Sequence, residues 1–303
     1  MRHLLSLFAI VILLTLTGCQ TLEVLTQAGT TLGVATGTIS MEEADSINKS
    51  SAALGKAFEK LTPEQEYYIG RSVAATILAS YKAYDNNAAT IYLNTLGQAL
   101  ALGSDKPETF GGYHFLIMDT DEVNAFAAPG GLILVSRGML RCCSNEDEVA
   151  AVLAHEIGHV QLEHGLRAIK KSRWTSAFTI LGAETAKNLG GKQLAELTTA
   201  FEGAIGDVTA TMVNSGYARK LENEADAVAV TLLQRVGYNP RGLSNMLMEM
   251  GKRLSHDKRG FAKTHPAPKD RVADIQKLIG SGAGPIQSQR SRSDRFAKAL
   301  RNI

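Results

Sequence analysis

The stretch AVLAHEIGHVQLEH, residues 151–164, constrains the chain more than any other. Positions i and i+4 of an α-helix lie on one face, one turn apart. His155 and His159 therefore direct their imidazoles at one spot, while Glu156 stands beside that spot. The flanks, Val152, Leu153 and Ala154 before and Ile157, Gly158 and Val160 within and after, carry no charge. A helix of this kind belongs inside the protein, with its few polar groups kept for chemistry, so the rest of the chain must wrap around it.

Two histidines at this spacing suit zinc, and a catalytic zinc takes three protein ligands with a fourth position open to water. In the HExxH pattern the glutamate is the general base that takes a proton from water attacking a carbonyl, here Glu156. The third ligand must come from elsewhere. His164 lies five residues past His159, about 140° round a continuous helix, and cannot share the face. The spacing HExxHxxGxxH needs glycine at position 162 and histidine at position 165. The chain has Leu162 and Gly165, which excludes that class. The better source is ARKLENEADAVAV, residues 218–230. Glu222 and Asp226 are four apart and share a helix face, while Glu224 points elsewhere. One of the two carboxylates can bind the metal, and the other can accept the free N–H of a ligating histidine and fix its tautomer.

HEIGH, a downstream ENEAD and the proline-flanked THPAPKDR at residues 264–271 together resemble the M48 family of gluzincin zinc metallopeptidases. The resemblance covers roughly residues 60–280, including VNAFAAPGGLILVSRGML and NEDEVAAVLAHEIGHV. It implies one Zn2+ per chain held by His155, His159 and Glu222, with Glu156 as catalytic base. It implies further that Asp226 supports a ligand histidine and that Arg219 is a buried structural or site-supporting arginine. His265, the histidine of the His-Pro motif, would lie near the zinc, either steadying the oxyanion or blocking the open metal position. Arg271 would hold that loop in place. The strand NAFAAPGGLILVS could bind a peptide as an added strand, which suits broad specificity. Misfolded or misassembled envelope proteins are the substrates that the likeness implies. The rival expectation is a latent or non-proteolytic zinc-containing lipoprotein that holds client chains in the same groove.

The N-terminus sets a location. MRHLLSLFAIVILLTLTGCQ begins with Arg2 and continues with an uncharged, mostly apolar run from Leu4 to Leu16. That run is short for a bilayer span and fits the h-region of a signal peptide. It ends in Leu-Thr-Gly-Cys, which resembles the bacterial lipobox, so residues 1–18 are expected to be removed and Cys19 to carry a lipid. Gln20 in place of an aspartate resembles the outer-membrane type. The expected protein is lipid-anchored at the outer membrane and faces the periplasm. Cys142 and Cys143 are neighbours and pair only through a strained ring; they are expected to be buried thiols.

A formal charge of +2 on 303 residues argues against a nucleic-acid partner. With 45 % hydrophobic and 20 % charged residues the composition is globular, and recurrent Ala, Leu, Glu and Lys favour helices. Residues 19–60, rich in Thr, Gly, Ser and Ala, read as a tether, residues 61–280 as one catalytic domain, and residues 281–303 as a basic C-terminal tail. Thr62, Pro63 and Gln65 open a helix as a capping box, and Ala88–Leu102 is a second. Residues 113–136 read as a small antiparallel sheet. Ser144 is placed to cap the HEIGH helix, and further helices are expected at about 167–189, 192–213, 217–236, 240–256 and 267–279. The fold class is mainly α with a small antiparallel sheet (α+β), and oligomers remain open.

Overall fold

The computed structural model describes residues 62–168, 202–254, 268–280 and 290–303, with isolated positions between 31 and 45. The chain divides into two units, residues 1–60 with 170–204 and residues 61–169 with 205–303. The second unit holds the elements below, and its fold is the helical α+β arrangement expected.

Helix α1 (Pro63–Leu78) starts where the capping box places it: Gln65 N–H donates to Thr62 Oγ1 at 3.2 Å and Thr62 N–H to Gln65 Oε1 at 3.0 Å. Helix α2 (Asn87–Leu102) is capped by Asn86 and buries Tyr92, Leu93, Leu96 and Leu100. Strands β1 (His114–Met118), β2 (Ala125–Ala128) and β3 (Leu132–Ser136) form a three-stranded sheet in the order β1-β3-β2. The expectation of an antiparallel sheet is corrected here. β2 and β3 are antiparallel, pairing Ala125 with Val135 and Ala128 with Leu132, but β1 and β3 are parallel, pairing His114 with Leu132 and Met118 with Ser136. Residues 119–124 carry the chain past one strand position, and the 3-10 turn Pro129–Gly131 then folds β3 back into the gap. That turn needs its glycines. Gly130 has φ 75°, and a Cβ there would stand 2.9 Å from Tyr67 Cα. Buried Glu66 ties the turn to α1 by accepting the Gly130 N–H at 3.0 Å, and Lys106 neutralises it at 2.8 Å.

After the short helix α3 (Arg137–Leu140) comes α4 (Glu146–Gln161), which carries HEIGH. Its cap is Asn145, whose side chain accepts the Glu148 N–H at 3.0 Å, so the expected Ser144 is displaced by one position. Ser144 uses its backbone N–H on Glu148 Oε2 at 2.7 Å instead. α4 is buried from Glu146 to Val160 and packs against α2, β2, α6 (Arg219–Val236) and α7 (Arg241–Leu254). The short helix α5 (His164–Arg167) follows α4; α8 (Pro268–Ile279) packs on α6 and α7. Helix α9 (Arg290–Leu300) lies within the segment read as a basic tail. It is docked on the domain: Arg295 pairs with Glu146 at 2.6 Å and Arg292 with Asp147 at 3.2 Å. Cys142 and Cys143 are buried free thiols. Among the described residues no helix is long and apolar enough to cross a membrane. The segment with Cys19, the loop with His265 and most of the helices expected between 167 and 213 lie outside the described residues.

Candidate metal centre

The helix pair α4–α6 builds the site, and Gly158 sets how close the pair can come. A Cβ on Gly158 would stand 3.0 Å from the Ala225 carbonyl oxygen and 3.2 Å from its Cα, so only glycine permits this crossing without displacement. Glu222, one turn before Ala225, is thereby laid against the two histidines. His155 Nε2 and His159 Nε2 are 3.1 Å apart, and each lies 3.5 Å from an oxygen of Glu222. All three side chains are buried.

Two imidazole nitrogens and one carboxylate oxygen, drawn together in the interior, are a donor set for a transition metal. The spacing fits such an ion: tetrahedral ligands at zinc-like bond lengths of about 2.05 Å stand roughly 3.3 Å apart. Among the described residues no other group of metal-binding side chains converges in this way.

Each histidine is held from behind. Asp226 Oδ1 accepts from His155 Nδ1 at 3.0 Å. The same carboxylate receives Arg271, with Nη2 on Oδ1 at 2.6 Å and Nε on Oδ2 at 2.9 Å, while Arg271 Nη1 lies 3.2 Å from Glu222 Oε2. Burial alone would push the Asp226 carboxyl up; the Arg271 guanidinium and the His155 donor outweigh it and hold the carboxyl below the ordinary aspartate range. Glu156, also buried, is pushed up to about 7 by desolvation, with His155 opposing and Glu222 adding to the rise. A carboxyl near neutrality suits a group that must both take and return a proton.

The expected buried arginine is not Arg219. Its side chain is 56 % exposed and reaches Asp274 of α8 at 3.7 Å. Side chains on a helix lean toward its N-terminus, so the first residue of α6 points off the end of the helix and out of the core. The buried arginine beside the site is Arg271, delivered by α8 from the motif read as a loop anchor.

Two residues escaped the sequence reading. His164 was set aside because a continuous helix would turn it away. In fact α4 ends at Gln161, Glu163 adopts φ 56°, and the reversed chain drops His164 into the interior with its Nδ1 2.9 Å from His159 Nδ1. A glutamate is a poor signal for a left-handed residue, so nothing local announced the turn. Tyr217 stacks on the His159 ring, with centroids 4.5 Å apart at 21°, and its buried hydroxyl has no hydrogen-bond partner among the described residues. Its only sequence signal was proximity to ENEAD.

Known proteins resemble this chain over much of its length. Beta-barrel assembly-enhancing protease of Escherichia coli (strain K12) is 27 % identical over 260 residues, covering 85 % of this chain and 52 % of that protein. Metalloprotease YcaL of the same strain is 29 % identical over 184 residues, covering 61 % of this chain and 68 % of that one. Mitochondrial metalloendopeptidase OMA1 of Arabidopsis thaliana is 32 % identical over 160 residues, covering 52 % of this chain and 30 % of that one. The chain thus spans about half the length of the assembly-enhancing proteases it matches. The profile of Peptidase family M48 matches residues 87–279, which hold β1 to α8 and every residue of the centre described above. With more than half of its length so matched, the chain belongs to peptidase family M48.

Proposed function

We propose that the protein is a zinc-dependent metalloendopeptidase of the bacterial envelope, anchored through lipidated Cys19 at the outer membrane and facing the periplasm, which hydrolyses peptide bonds in misfolded or misassembled envelope proteins. The single observation that carries the reading is the convergence of His155, His159 and Glu222 within 4.8 Å of one another beside a buried carboxyl, Glu156. In this reading the three converging side chains would hold one zinc ion. Zinc, when bound, supplies a Lewis acid that polarises a carbonyl and eases deprotonation of water.

The chain's own residues do the rest. Glu156 takes the proton of the attacking water on its carboxylate and later passes it to the departing amine. Burial raises its proton affinity, which favours holding that proton between the two transfers. Asp226, with Arg271 behind it, holds His155 with Nδ1 as donor, so that Nε2 keeps its lone pair for the metal. β2, buried along its length, ends the described sheet and packs beside α4, and the reading has an extended substrate pair with its backbone once that edge is uncovered. His265 either donates to the developing oxyanion or occupies the open position until a client displaces it. The envelope substrate class rests on relatives named for β-barrel assembly, and the anchor on the sequence ahead of Cys19.

The test is cleavage of casein by the zinc-loaded chain beside Glu156→Gln and His265→Ala, with zinc content measured in each. Cleavage by the parent, and none by a Glu156→Gln protein that retains zinc, is the expected result. His265→Ala cuts more slowly if His265 is a catalyst and faster if it is a latch. Three zinc-bearing proteins that all leave casein intact would overturn the protease reading in favour of a client-holding lipoprotein.

A further inference from the structure

His159 has a second ring nitrogen, and its surroundings assign a role to residues outside the converging set. Nδ1 of His159 faces Nδ1 of His164 at 2.9 Å, and both rings are buried. The other nitrogen of His164, Nε2, lies 3.3 Å from Glu224 Oε2. That carboxylate is partly exposed at the surface, where Arg167 Nη1 reaches the same oxygen at 3.2 Å and Lys220 approaches the other at 3.9 Å.

Proton counting orders this row. Two ring nitrogens 2.9 Å apart share one hydrogen; two lone pairs would repel and two hydrogens would clash. A His159 that offers its Nε2 lone pair to a cation carries its hydrogen on Nδ1 and donates it. His164 Nδ1 must then be the acceptor, so the hydrogen of His164 sits on Nε2, aimed at the Glu224 carboxylate. The opposite tautomer of His164 would place a hydrogen on its Nδ1, push the hydrogen of His159 onto Nε2 and cap the nitrogen that faces His155 and Glu222.

We infer that Glu224, His164 and His159 form a tautomer-setting chain in which a surface carboxylate keeps a buried ligand ready for metal, and that His164 is a positioning residue. Asp226 and Arg271 serve His155 in the same way from the opposite side, so the two ligands are oriented by separate devices. The reversal at Glu163 gains a purpose here. Its φ of 56°, the sole positive φ among described non-glycine residues, is what returns His164 to His159. The inference rests on the reading of His155, His159 and Glu222 as a metal site.

The experiment is zinc affinity of the full chain by chelator competition, with folding followed by circular dichroism, for the parent, His164→Phe, His164→Gln and Glu224→Ala. His164→Phe keeps a ring but removes the acceptor, and weakens zinc binding 10- to 100-fold on the scale known for groups behind metal ligands, about that range. In His164→Gln the amide oxygen can accept the His159 hydrogen and recovers most of the loss, which a merely space-filling role would not predict. Glu224→Ala weakens binding less, because the ring of His164 remains in place. Nitrogen-15 shifts of the zinc-loaded parent place the His164 hydrogen on Nε2. Tight zinc binding by both His164→Phe and Glu224→Ala overturns the inference, as does a His164 hydrogen found on Nδ1. Should His164→Phe fail to fold, the Glu224→Ala affinity and the nitrogen-15 shifts decide alone. A parent that binds no zinc overturns the metal reading itself, a result distinct from these.

Discussion

Replacing Arg271 with methionine tests the electrostatics of the centre apart from its chemistry. The guanidinium is 1 % exposed and makes two contacts with Asp226, at 2.6 and 2.9 Å, and one with Glu222 at 3.2 Å. Methionine fills a similar volume but takes the guanidinium from two buried carboxylates, leaving His155 as their remaining basic neighbour along this side. Removing one partner of a buried ion pair destabilises by about 3–5 kcal/mol. For a domain of this size about 2–4 °C of melting temperature goes with each kcal/mol, so a fall on the order of 10 °C is expected in the presence of a chelator. Zinc returns positive charge to Glu222 and should recover part of that fall. The pH dependence has a defined sign. In the parent, Asp226 is held below its ordinary value of 3.8, so its contribution is present above that value and fades as pH falls through the folded pKa. In the variant, burial without Arg271 raises the folded pKa above the unfolded one, so the penalty is small at pH 5 and larger at pH 8. Differential scanning calorimetry at both pH values, with EDTA and with zinc, provides the measurement. A melting temperature within about 3 °C of the parent at pH 8 in EDTA, equivalent to roughly 1 kcal/mol, would refute the argument that these carboxylates depend on Arg271.

Arg219→Ala provides the contrast: as an exposed residue that reaches Asp274 only at 3.7 Å it should change stability by no more than about 0.5 kcal/mol, read from urea unfolding. Peptidase activity should decline as pH falls if, as proposed, Glu156 acts as its carboxylate; burial pushes this carboxyl up to about 7, and a bound cation moves it lower. Initial rates between pH 5 and 8 check this, and a rate that climbs on acidification would contradict the base assignment. Gly130→Ala should destabilise by about 2–4 kcal/mol, combining the left-handed backbone with a Cβ pressed on the backbone of Tyr67. Chemical denaturation checks it, and an unchanged midpoint would show that the β2–β3 turn tolerates a side chain.

Features that depend on near neighbours in the chain were legible in the amino-acid order. The capping box at Thr62 and Gln65, the single face shared by His155 and His159, and the i,i+4 pair Glu222 and Asp226 all follow from helix geometry over one turn. For the same reason the two helical motifs named a histidine pair and a carboxylate pair, each on one face; which carboxylate joins the histidines came from the resemblance to family M48, and the structure lays Glu222 against them. Even at this range capping was off by one residue, because Ser144 and Asn145 are both capable caps and only the chain path favours Asn145.

What the tertiary structure alone decided lies where distant segments meet or where one residue leaves its expected conformation. Sheet order depends on how residues 119–124 cross the sheet end, which no alternation of apolar residues encodes. The choice of Arg271 over Arg219 depends on α8 packing across α6, while the family resemblance had pointed to the arginine nearer in sequence. His164 reaches His159 only because Glu163 turns left-handed, a conformation its side chain disfavours and the surrounding fold imposes. Helical periodicity dictates which residues share a face; only packing dictates what that face meets.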